Sequence, residues 1–152
     1  MLFRSPRPRV QVHNRQIVCP MSDAFVESLM RAGDAVIEEV TKEGLARVSP
    51  PESVVVSLIG DKEISLVHAQ FMDNPEPTDV ITFPYGAEGE ILISVETAQR
   101  QAEEFNSPLK REITLYLVHG ILHLVGYEDD TKSSRDEMDA LQERLLAALP
   151  GV

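Results

Sequence analysis

The sequence predicts an α+β fold, mixed α/β in its element order. About four strands form a small mixed sheet, packed with about five helices around one buried central helix. Three observations carry this expectation. The chain has 152 residues, the size of one domain, so residues 1–152 are read as a single domain. Short β-branched runs interleave with helical apolar spacings, with the longest helices near both ends. One stretch, from Ser107 to Gly126, is apolar on nearly every side, as a helix must be when other elements cover it all round.

Taken in order, residues 10–13 alternate and read as a short strand. From Ser22 to about Glu43, Phe25, Val26, Leu29, Met30, Val36, Ile37 and Val40 recur at helical spacing. Ser22 or Asp23 serves as N-cap there, and Gly44 as the stop. Pro50 and Pro51 break the chain, and SVVVSLI (53–59) reads as a buried strand. Asp61 is expected to cap a helix over 62–71, and residues 73–77 (DNPEP) form a loop. Residues 79–83 read as a strand, 84–89 as a turn and 90–94 as the partner strand. Ser94 caps a helix to about Phe105. Ser107 at N-cap and Pro108 at the first helical position open the apolar helix, which carries Ile113, Leu117, Val118, Ile121 and Leu122 and ends at Gly126. A last amphipathic helix over about 133–149 turns Met138, Leu141, Leu145 and Leu146 inward.

Composition narrows the function. There are 14 Lys and Arg against 25 Asp and Glu, a formal net charge of −11. This balance disfavours an extended nucleic-acid footprint but leaves room for a local basic groove. The basic residues group at Arg4, Arg7, Arg9 and Arg15, and again at Lys110 and Arg111. The single cysteine, Cys19, excludes an intrachain disulfide and fits a reducing compartment. No apolar run approaches the ~20 residues of a membrane span. The basic start lacks the apolar core of a secretory signal. A soluble, cytoplasmic protein without a membrane partner is expected.

The stretch HGILHLVGYED (119–129) carries the chemistry. His119 and His123, four apart on a helix, project from one face one turn apart, which is how two imidazoles share one metal. Gly126 stands where the chain must turn, and glycine accepts positive φ without penalty. The turn brings Asp129 back toward both rings. The pattern H-x3-H-x2-G-x2-D is a candidate three-ligand site for one zinc ion, with a fourth position open for water. Asp130 is the alternative third ligand if the turn differs by one residue. The plain alternative is a pair of structural histidines, but imidazoles inside the most apolar helix need partners. The spacing is near the metallopeptidase signature H-E-x-x-H-x-x-G-x-x-H, yet Gly120 stands where that chemistry needs its glutamate base. Met138 reads as core.

On these residues the chain resembles the YbeY family of metal-dependent endoribonucleases, bacterial ribosomal-RNA maturation factors. The family pattern H-G-x-L-H-L-x-G-Y-D-H agrees with 119–129 at all but its last two positions. The block P-T-D-V-L-S-F-P is similar to 77–84 (PTDVITFP), and G-[DE]-I-x-I-S matches 89–94 (GEILIS). Order and spacing agree over roughly 53–149. The resemblance implies a zinc-dependent, single-strand-specific endoribonuclease in ribosomal-RNA maturation and ribosome quality control. The metal-bound water would attack the RNA phosphodiester. The implied partners are small-subunit ribosomal RNA and a ribosomal protein or GTPase that supplies affinity the acidic chain lacks; DNA is not implied.

Three departures bear on that reading. Asp129 stands at the family's third histidine, leaving less net positive charge on the site. Met72 stands where the family carries an arginine thought to meet phosphate, and His68 where it carries an asparagine. His68 reads either as a proton donor or support for the metal, or as a surface residue of its helix. Thr78 and Asp79 read first as a turn entering a strand, and second as a wall of the metal cleft. No general base is identified. Two other readings stay open: a metallohydrolase on another substrate, and a non-catalytic ribosome-assembly module with a bound metal.

Overall fold

The computed structural model describes residues 9–74, 76 and 78–151. Arg4, Arg7, Pro75 and Pro77 lie outside the described residues. The elements follow in the order β1 (Val10–Asn14), α1 (Asp23–Lys42), β2 (Ser53–Ile59), α2 (Asp61–Met72), β3 (Val80–Tyr85), β4 (Glu88–Ser94), α3 (Val95–Glu104), α4 (Leu109–Leu124) and α5 (Lys132–Ala148). The strands form one mixed sheet in the order β1-β2-β4-β3. β1, β2 and β4 are parallel, and β3 closes one edge antiparallel to β4. This is the α+β architecture that the interleaved patterns predict.

Strand alternation divides the core between the two faces of the sheet. Val54, Val56 and Leu58 of β2 and Ile91 and Ile93 of β4 join the apolar faces of α1, α4 and α5 in the main core. Ile59, Ile81 and Leu92 point the other way, onto Ile64 of α2. α4 lies in the middle, packed by α1, α3, α5 and the sheet. Ile113, Leu117, Val118, Ile121 and Leu122 are at most 1% exposed, which is why its sequence is apolar nearly all round.

Two glycines let α4 settle onto β4. A Cβ at Gly120 would meet Ile91 side-chain carbons at 3.0 Å, and one at Gly89 would meet Leu124 at 2.8 Å. The residue after His119 therefore faces the sheet, and a glutamate there would enter the core instead of reaching the histidine face.

Several boundaries differ from expectation, each for a local reason. Asp61 is the first helical residue and not the cap, which is Gly60. Its carboxylate accepts hydrogen bonds from Ser94 Oγ at 2.7 Å, Thr97 Oγ1 at 2.8 Å and Arg100 at 2.6 Å, tying α2 to α3. The turn expected over 84–89 is only Gly86 and Ala87, with Gly86 at φ +70°. Pro84 stays in β3 because an edge strand tolerates a missing donor. Pro108, not Ser107, caps α4; its backbone is extended, and its carbonyl accepts from the Arg111 and Glu112 amides. α5 opens one residue earlier than expected, through a capping box in which Thr131 and Ser134 each bond the other's main chain.

Candidate metal centre

The last two turns of α4 and the five residues after it assemble the site. α4 ends in a Schellman closure, with the Tyr127 amide donating to the Leu122 carbonyl at 3.0 Å and the Gly126 amide to the His123 carbonyl at 3.1 Å. Gly126 takes φ +103°, the positive value the motif requires. The chain then reverses and carries Asp129 back over the helix face that bears the histidines.

Three electron-rich atoms converge there. His119 Nε2 and His123 Nε2 are 3.0 Å apart, and Asp129 Oδ2 lies 3.5 Å from each. The other ring nitrogens are engaged. His123 Nδ1 is 2.9 Å from the Tyr127 carbonyl, which can only accept, so Nδ1 carries the hydrogen and Nε2 keeps its lone pair. His119 Nδ1 faces Gln142 Oε1 at 2.8 Å, which sets the same tautomer. Two lone pairs and a carboxylate oxygen thus point at one another with no proton between them, an arrangement that repels unless a cation sits inside it. A tetrahedral zinc with bonds of about 2.0–2.1 Å separates its ligands by about 3.3 Å, close to the three edges of this triangle. The donor set fits zinc. Burial pulls the His123 imidazole below its ordinary value, and the neighbouring His119 ring adds to the effect, so the ring is held ready to coordinate.

The ligand-bearing turn is clamped from outside by the segment after α1. The Tyr127 hydroxyl donates to the Leu45 carbonyl at 2.9 Å, and the Arg47 and Val48 amides donate to the Val125 carbonyl at 2.8 and 3.2 Å. The Arg47 guanidinium lies 4.1 Å over the Tyr127 ring and bridges to Glu137 of α5. Gly126 packs so closely that a Cβ would stand 2.9 Å from Arg47 Cβ.

Other residues singled out in the sequence fall elsewhere. Asp130 accepts from Ser134 Oγ at 3.2 Å at the start of α5 and does not join the histidines. Asp79 Oδ1 accepts from the Val80 amide at 2.8 Å, the turn-to-strand role. His68 Nδ1 lies 2.8 Å from the Glu76 carbonyl and holds the loop after α2. Met72 ends α2, half-exposed, and Met138 is wholly buried in the core. Arg15 pairs with Glu63 and Arg111 with Glu143. Sequence reasoning missed Gln142, which is buried on α5 and orients His119. A polar residue among the inward positions Met138, Leu145 and Leu146 was the available signal. It also missed the carbonyl of Tyr127, because main-chain acceptors leave no trace in residue type.

The chain matches the Endoribonuclease YbeY family model over residues 13–150. A relative named Endoribonuclease YbeY from Moorella thermoacetica is 32% identical over 154 residues, covering 91% of this chain and 95% of the relative. One of the same name from Bacillus subtilis is 34% identical over 117 residues, covering 66% of this chain and 74% of its own. The solution structure of TM1509 from Thermotoga maritima is similar with a TM-score of 0.60 at 28% identity, covering 91% of this chain and 90% of that one.

Proposed function

The chain belongs to the Endoribonuclease YbeY family of metal-dependent RNA-cleaving hydrolases, and from that premise we propose a zinc-dependent endoribonuclease acting on single-stranded segments of small-subunit ribosomal RNA. Its role is ribosomal-RNA maturation and ribosome quality control, and its setting is the cytoplasm, in keeping with the lone buried Cys19. Residues 1–152 act as one catalytic domain. The observation that carries the reading is the convergence of His119 Nε2, His123 Nε2 and Asp129 Oδ2.

His119, His123 and Asp129 would hold one zinc ion. Bound there, zinc supplies Lewis acidity toward a phosphoryl oxygen and lowers the pKa of water. Gln142 and the Tyr127 carbonyl keep both rings in the coordinating tautomer. Asp129, in place of a neutral third ligand, leaves the centre one positive charge poorer, so a higher pH is needed to reach full rate. Three protein ligands support catalysis over a purely structural zinc, which closes all four positions with protein. A ribosomal protein or GTPase partner supplies the affinity for RNA that a chain of net charge −11 lacks.

The test is cleavage of an RNA carrying one single-stranded loop within a duplex. The zinc-loaded protein is expected to cut the loop, and His119→Ala or chelation to abolish cutting. Undiminished cutting by His119→Ala would overturn the reading.

A further inference from the structure

A cleft of about 580 Å³ opens between α1 and the N-terminal end of α4, bounded beyond α5 by Leu149, Pro150 and Gly151. It continues past Phe25 and Lys110 into a second hollow of about 350 Å³, walled by Pro20, Met21, Leu109 and Ile113. No aspartate or glutamate lines either hollow, in a chain of net charge −11. Arg31, Lys110 and Arg111 do.

The cations differ in what holds them. Among the described residues, Arg15, Arg47, Arg100, Arg111, Lys132 and Arg144 each meet a carboxylate. Arg9, Arg31, Lys42, Lys62, Lys110 and Arg135 meet none, and of these Arg31 and Lys110 line the cleft. The Lys110 ammonium lies 5.7 Å from the centre of the Phe25 ring, which holds it over the cleft. Apolar walls with two uncommitted cations on one lining are the make-up of a small-molecule site of ordinary size. Two cations match the near-dianionic charge of one phosphate monoester, and a guanidinium fork matches its oxygens. The apolar walls suit a flat ring.

The cleft is separate from the metal centre. Lys110 and His119 are nine residues apart on α4, about two and a half turns, so they project on opposite sides of the helix.

We propose that this cleft binds a nucleoside monophosphate, with its phosphate between Arg31 and Lys110 and its base against the apolar walls. A single phosphate, and not a strand, fits a cleft with two uncommitted cations on the far side of α4 from the histidines.

Amide NMR spectra of the full chain, titrated with AMP, adenosine, inorganic phosphate and a hexaribonucleotide lacking terminal phosphates, test this. AMP is expected to shift the amides of 24–35 and 109–114 saturably, and adenosine and phosphate to bind at least about tenfold more weakly. Arg31→Glu and Lys110→Glu, both at exposed positions, are each expected to weaken AMP about tenfold or more with an unchanged melting temperature. His123→Ala leaves AMP binding intact, so the cleft is read independently of zinc and of RNA cleavage. AMP shifts confined to the histidines, AMP binding that survives both reversals, or phosphate binding as tightly as AMP would each overturn the proposal. Tighter binding of the hexaribonucleotide than of AMP would also overturn it, by making the cleft part of an RNA track.

Discussion

The two histidine rings depend on the hydrogen bonds that their Nδ1–H groups donate. Gln142 Oε1 and the Tyr127 carbonyl accept them, and the lone pairs on Nε2 are left facing Asp129. In the metal-free protein this has a consequence for stability. Burial, with help from His119, holds the His123 imidazole below its ordinary 6.5. The unfolded chain therefore takes up a proton at this position at a higher pH than the folded chain does. Stability from this source is complete above about pH 6.5 and declines as the pH falls from there toward the lowered folded value. Chelator-treated protein should lose stability over that window in urea titrations, and His123→Ala should flatten the loss. An equal slope in both would show that this ring does not carry the effect. The spacing of His119, His123 and Asp129 was legible in the sequence because helix periodicity fixes which residues share a face. Their orienting partners were less legible, since Gln142 comes from a helix 23 positions away and the other partner is main chain.

Among the elements, α4 is the one whose sequence predicts its environment most directly. Its apolar residues run all round because α1, α3, α5 and the sheet surround it. Its start was less legible: an Ser-Pro pair reads as cap and first residue, but Pro108 remains extended and caps the helix itself. Likewise the β3–β4 turn is shorter than the sequence suggests, because Pro84 reads as a stop until β3 is known to be an edge. The clamp after α1 was not legible at all, since Leu45, Arg47 and Val48 carry no pattern and act mainly through main-chain bonds to Val125 and Tyr127. That clamp holds the turn that delivers Asp129. Arg47→Ala is expected to weaken zinc binding about tenfold, the low end for residues supporting metal ligands, with Arg47→Lys closer to wild type. Competition against a chromophoric chelator measures this. A lower melting temperature with unchanged zinc affinity would make the clamp structural only.

At the scale of the whole molecule, the net charge of −11 sets how the chain meets RNA. Six of its 14 Lys and Arg are engaged by carboxylates, and the 25 Asp and Glu repel phosphates from the rest. Binding of single-stranded RNA by the isolated protein should be weak, and log K should fall with log salt at a slope shallower than about −3. A slope steeper than about −5 would reveal an extended basic track and contradict this expectation. The overall fold was legible because its strands and helices alternate with clear periods, whereas five of the six ion pairs that engage its cations join residues far apart in the sequence. Metal content tests the three-ligand centre most directly. Protein purified without chelator should carry about one zinc per chain, with zinc lost in both His123→Ala and Asp129→Ala. Wild-type protein that holds no zinc, or an Asp129→Ala variant that keeps it at full occupancy, would contradict the account.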